Sequence, residues 1–153
     1  MANLIQPMIG MIGVTACVWL AMYIRHLRYI SKNNITPELI DTPENLNTKV
    51  PDNVNLPSNN LKNLFEMPVL FYALCLGAQI LANQNYLAGL GWHGDLIGYA
   101  GLYELAWAYV VLRALHSIVQ CTYNKVMHRF TLYFLSCLLL WWIAIKVALM
   151  AFT

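Results

Sequence analysis

Four stretches of apolar residues alternate with polar segments along the chain. A helix needs about 20 mostly apolar residues to cross a bilayer. The pattern predicts helices over residues 3–24, 60–81, 96–120 and 129–151. The first opens "NLIQPMIGMIGVTACVWLAMYI" and stops at "RHLRYISK". Two of the connections are short. The other, residues 31–58, holds four prolines, many asparagines and most of the acidic residues. It reads as a polar loop with a short helix near "TPELIDTPENL", capped by Thr36 and opened by Pro37. The predicted fold class is all-α: an integral membrane four-helix bundle spanning residues 1–153 as one domain.

Composition supports a bilayer as solvent. Hydrophobic residues make up 59% of the 153 and charged residues 10%, against roughly 45–50% and 25% in soluble domains. The mean hydropathy is +0.54. Residues 1–24 carry no charge, so they lack the basic start of a secretory signal and read as a helix that stays. The net charge of +2, with no basic run, gives no reason to expect nucleic acid. The four cysteines, Cys17, Cys75, Cys121 and Cys137, lack metal spacing and read as small buried hydrophobes. No His or carboxylate pattern points to a metal.

Lys and Arg set the orientation. Arg25, Arg28, Lys32, Lys49 and Lys62 flank or lie in the long connection, and Lys125 and Arg129 mark the third. With four spans these two connections share a side, which the positive-inside rule makes cytoplasmic. Both termini are then non-cytoplasmic.

Ionisable residues inside a span are costly and are functional candidates by default. Lys146, seven residues from the end, can snorkel. Asn63 and Glu66 in "NLFEMPVLFY" are three apart and share a helix face, with Lys62 in pairing range of Glu66. Pro68 is expected to bend this helix just beyond them. Tyr109, Arg113, His116 and Gln120 follow at steps of four, three and four, one polar stripe on the third helix. Glu66 is the expected partner of Arg113, either in a prearranged polar site or as an ion pair that registers two helices. Glu104 falls on the opposite face and belongs to another contact. His26 and His93 are expected to be solvated. The polar stripe, with the small-residue face of Gly10, Gly13 and Ala16, exceeds what one four-helix protomer can bury, so a homotrimer is expected.

Four membrane helices, "NLFEMPVLFY" on the second and "LRALHSIVQCTYNKVMHRF" across the end of the third resemble the MAPEG family, the membrane-associated proteins in eicosanoid and glutathione metabolism. The resemblance implies a homotrimer that binds glutathione as co-substrate near the cytoplasmic side, between subunits. By position, Asn63, Glu66 and Arg113 match the binding set, with His116 and Gln120 on the same stripe. Arg129, sixteen residues after Arg113, matches the arginine that holds the thiol as thiolate. The implied activity is a glutathione-dependent membrane transferase or peroxidase acting on a lipophilic small molecule. Three departures from the family's pattern are visible, one of them that Pro68 follows Glu66 at two residues rather than three or more. Asn59 stands where family enzymes usually carry an Arg, and His116 and Gln120 stand where they often carry tyrosines. The alternative reading is a non-catalytic lipid-binding or scaffold member of the same fold.

Overall fold

In the computed structural model the described residues are 3–36, 42, 45, 48–87 and 101–152. They form five helices: α1 (Ile5–Lys32), α2 (Asp52–Leu64), α3 (Met67–Leu87), α4 (Leu102–Cys121) and α5 (Val126–Phe152). α2 and α3 are successive pieces of one span, so four helical segments are long and apolar enough to cross a membrane. The arrangement is an all-α membrane bundle.

The boundaries differ from the hydropathy pattern for physical reasons. α1 continues eight residues past position 24, through "RHLRYISK". Nothing there breaks a helix, because loss of apolarity alone does not stop one and Leu, Arg and Lys have good helix propensity. α2 begins at Asp52 rather than within the span, so residues 52–58 of the expected polar loop are helical. The short helix expected at "TPELIDTPENL" lies almost wholly outside the described residues, as do His93 and residues 96–100 of the expected third helix. That third span starts at Leu102 after Gly101, whose φ of 73° is one that glycine adopts without strain. α5 starts at Val126, three residues early.

The bend expected at Pro68 is instead a break before the proline, at Phe65 and Glu66. A proline lacks the N–H that would reach the carbonyl four residues back, and its ring crowds that carbonyl. The Phe65 N–H closes the end of α2 on the Leu61 and Lys62 carbonyls at 3.2 and 3.1 Å. Glu66 is left exposed at the joint.

α1 packs against α2 and α4, α4 against α5, and α3 against α5. The core between them holds Met11, Phe71, Tyr109, Leu140 and Ile143, all within 1% of full burial. α1 and α4 approach closely at Gly10, where an added Cβ would sit 2.9 Å from Cζ3 of Trp107. Their N-terminal ends are tied by the Tyr103 hydroxyl, which donates to Gln6 Oε1 at 2.8 Å. Large apolar side chains such as Ile9, Leu27, Ile80, Trp141 and Trp142 face outward, as a lipid-facing surface requires.

Arg25 locks the opposite end of the bundle. Pro57 lies inside α2 and cannot donate to the Asn53 carbonyl. Arg25 Nη1 reaches that freed oxygen at 3.4 Å, while Nη2 donates at 2.7 Å to the carbonyl of Cys121, the last residue of α4. Beside it, His26 is not simply solvated as the sequence suggests. Its Nε2 donates to Asn55 Oδ1 at 3.0 Å, and Asn55 Nδ2 donates to the Val50 carbonyl at 3.1 Å.

Candidate functional site

The polar stripe of α4 turns inward. Tyr109, Arg113, His116 and Gln120 are all buried. At the loop end of the stripe, α2, α4 and α5 enclose a cleft of about 510 Å³ lined by Asn59, Asn63, His116, Gln120, Arg129 and Tyr133, with Val126 and Phe130 beside them. Ligand pockets commonly run from about 300 to 1,000 Å³. The neighbouring grooves on the bundle exterior are almost wholly apolar, whereas this one mixes polar and apolar groups.

Each wall is positioned by its helix. Asn63 is on the last turn of α2 and donates from Nδ2 to Gln120 Oε1 at 3.0 Å. His116 sits one turn before Gln120; its Nε2 lies 2.8 Å from the same oxygen. His116 Nδ1 lies 3.0 Å from the Arg129 carbonyl and so must donate to it. Arg129 Nη1 donates to Asn124 Oδ1 at 2.9 Å. The last polar group, Tyr133, follows Arg129 by one turn of α5.

The protons in this network are linked. A neutral imidazole donates from one nitrogen and accepts at the other; only the charged ring donates from both. With Gln120 Oε1 facing Nε2, His116 carries two protons. With a neutral ring, Gln120 turns its NH₂ towards Nε2 and Asn63 turns its oxygen towards Gln120, since amide orientation follows the network. The NH₂ of Asn63 is then free to face the cleft. One proton on His116 therefore sets whether Asn63 offers the cleft an acceptor or a donor.

Arg113 does not line the cleft. It is fully buried behind it, with its guanidinium carbon 4.6 Å from the Tyr133 ring centre and 5.6 Å from that of Tyr109. Nε donates to the Tyr109 hydroxyl at 3.2 Å, but Nη1 and Nη2 meet no well-formed hydrogen-bond acceptor among the described residues. The pairing of Glu66 with Arg113 expected from sequence is therefore not formed. The break between α2 and α3 leaves Glu66 exposed, while Asn63, on the intact last turn, reaches inward. Tyr133 lines the cleft, and Arg113 packs against its ring.

Glu104 is exposed in the first turn of α4, where the helix dipole favours a carboxylate. Cys75 is buried and Cys121 and Cys137 are half-buried, but Cys17 is exposed on α1, contrary to the reading of all four as buried hydrophobes.

Sequence reasoning brought Asn63, His116, Gln120 and Arg129 to one cleft. It missed Tyr133 and Asn124. Tyr133 was detectable as the residue four after Arg129, on the same helix face. Asn124 carried a weaker signal, a turn-favouring residue in the short connection.

Chemically, the cleft offers a guanidinium with donors to spare, three terminal amides (Asn59, Asn63 and Gln120), a histidine whose proton is linked to two of them, and a phenol. This set is rich in hydrogen-bond donors, and Arg129 brings it a positive charge. No curated protein and no solved structure significantly matches the chain. The family model described as MAPEG family matches residues 4–94 and 99–149. An integral membrane bundle with this match over nearly its whole length belongs to the MAPEG family.

Proposed function

We propose that the chain is a glutathione-dependent membrane transferase or peroxidase, in which Arg129 stabilises the thiolate of a bound glutathione. The observation that carries this reading is the meeting of Arg129 with Asn63, His116 and Gln120 in one polar cleft of a MAPEG-family protein. The cleft's volume and donor set fit a charged tripeptide. Glutathione would supply a soft sulfur nucleophile for electrophiles that partition into the bilayer.

The chain's own residues do the rest. Asn63, with His116 neutral, offers its NH₂ to a carboxylate or amide oxygen. Arg129 keeps donors beyond the one spent on Asn124, and its positive charge favours an anion beside it. A cation within about 4–6 Å lowers a thiol's pKa by about 1–3 units, enough to ionise much of it near neutral pH. Arg113, packed against the ring of the cleft residue Tyr133, would supply further donors to an anionic group of the ligand. Glu66, exposed at the helix joint outside the cleft lining, would meet the ligand's ammonium group.

The same reading includes a homotrimer. The exposed Glu66 and the exposed part of the small-residue face of α1, Gly13 and Ala16, are surfaces for a neighbouring copy, while Gly10 is taken by Trp107 of the same protomer. It also puts the connections around residues 31–51 and 122–125 in the cytoplasm and both termini outside it, in a bacterial inner membrane or a membrane of endoplasmic-reticulum type.

A thermal-shift titration with glutathione in mild detergent, paired with the ultraviolet thiolate signal, tests the proposal. Saturable stabilisation with a thiolate band at neutral pH is expected; stabilisation by neither glutathione nor its S-alkyl analogues would overturn it. A second reading, a non-catalytic lipid-binding or scaffold protein, is favoured by Asn59 standing in place of the family's Arg. Gln120 also supports it, because its side chain is engaged internally by Asn63 and His116. Stabilisation by lipid without any thiolate band would favour that reading.

A further inference from the structure

We propose that Asn124 is a positioning residue for Arg129, holding its guanidinium at the wall of the cleft; its catalytic consequence rests on the glutathione reading above. Asn124 lies in the connection between α4 and α5. Its φ of 49° is left-handed, a conformation that Asn tolerates better than most residues. Its N–H donates at 2.9 Å to the Val119 carbonyl, closing the free end of α4. This turn aims the side chain at the start of α5, where Oδ1 accepts from Arg129 Nη1 at 2.9 Å.

Arg129 is thus gripped twice. Its carbonyl takes the Nδ1 proton of His116 at 3.0 Å, which fixes the backbone. Asn124 fixes the far end of a side chain with four rotatable bonds. A long Arg at a half-exposed position otherwise samples many rotamers, and a thiolate is stabilised only by a cation held close. A neutral acceptor matters too. A carboxylate here would hold Arg129 equally well but neutralise the charge the cleft requires. An amide holds the guanidinium and leaves its charge available.

Asn124→Gly separates the turn from the grip, because glycine adopts the left-handed φ freely while removing the acceptor. Two readouts are taken on the full-length protein in detergent. The first is the rate at which phenylglyoxal modifies Arg129, followed by peptide mass spectrometry without any ligand. It should rise roughly fivefold in Asn124→Gly, the scale of one net hydrogen bond. The second is the thiolate titration of bound glutathione. Its midpoint should move up in Asn124→Gly, and in Asn124→Asp for the opposite reason, although Asp keeps the modification rate low. In an Arg129→Ala background Asn124→Gly should no longer move the midpoint. An unchanged modification rate in a folded Asn124→Gly protein overturns the proposal. A raised rate in a protein that shows no thiolate leaves Asn124 in its role and sinks the glutathione reading instead.

Discussion

Replacing Arg113 with Met asks what a buried guanidinium with two idle donors is for. The charge has left water completely, at an effective cost of several kcal/mol. Nη1 and Nη2 meet no well-formed acceptor among the described residues, and each unmade bond costs about 1–3 kcal/mol. Against this stand two aromatic faces at 4.6 and 5.6 Å, worth about 1–2 kcal/mol each. The Nε bond to Tyr109 adds about 1.5–3 kcal/mol. The opposing terms are of similar size, and the penalty is the larger at its upper end. Arg113→Met, apolar and of similar length, should leave the ligand-free protein unchanged or more stable by up to about 3 kcal/mol. Under the glutathione reading, its stabilisation by glutathione should shrink, because the guanidinium donors are gone. Unfolding in detergent, followed by circular dichroism with and without glutathione, reads both quantities. A ligand-free loss of about 3–5 kcal/mol would refute the reasoning, since that is the signature of breaking a satisfied buried pair.

Arg129→Ala should raise the thiolate titration midpoint by about 1–3 units, so that turnover is lost near neutral pH and recovers as pH rises, while glutathione affinity stays close to wild type; superimposable titrations would remove Arg129 from its role. Gly10→Ala places a methyl 2.9 Å from the Trp107 ring and should destabilise the bundle by about 1–3 kcal/mol, measured by unfolding in the same detergent; an unchanged midpoint would mean that α1 and α4 do not meet as described. A single cysteine introduced at Lys49, which is exposed, should react with a membrane-impermeant maleimide only from the cytoplasmic side; labelling from the other side alone would invert the orientation.

The spans were legible because hydropathy over about 20 residues is a strong signal. The helices around them were not, because hydropathy reports where the bilayer lies and not where hydrogen bonding ends. α1 runs on through Arg25 and Arg28, and α2 starts well before the apolar run. The stripe from Tyr109 to Gln120 was legible through its spacing, and that spacing carried it inward as a unit. The Glu66–Arg113 pair failed because facing-residue arguments assume an unbroken helix. Here the break falls between Asn63 and Pro68, so Asn63 keeps its inward direction and Glu66 loses it. The role of Asn124 depends on a left-handed turn, which no periodicity encodes.

The bonds made by Arg25 couple two positions that hydropathy treats as unrelated. Pro57 strips the Asn53 carbonyl of its helical donor and Arg25 replaces it from another helix. Restoring an N–H with Pro57→Ala gives that oxygen a local partner and makes one of the two donations redundant. Arg25→Gln should then cost less in the Pro57→Ala background than in the wild-type chain, by about the 0.5–1.5 kcal/mol of one net hydrogen bond. Positions 25 and 57 are thus epistatic through a backbone oxygen belonging to neither. Strictly additive effects in a double-mutant cycle would show that they are not. A lineage that lost the proline would be free to lose half of what the arginine does, keeping only its donation to the Cys121 carbonyl at the end of α4.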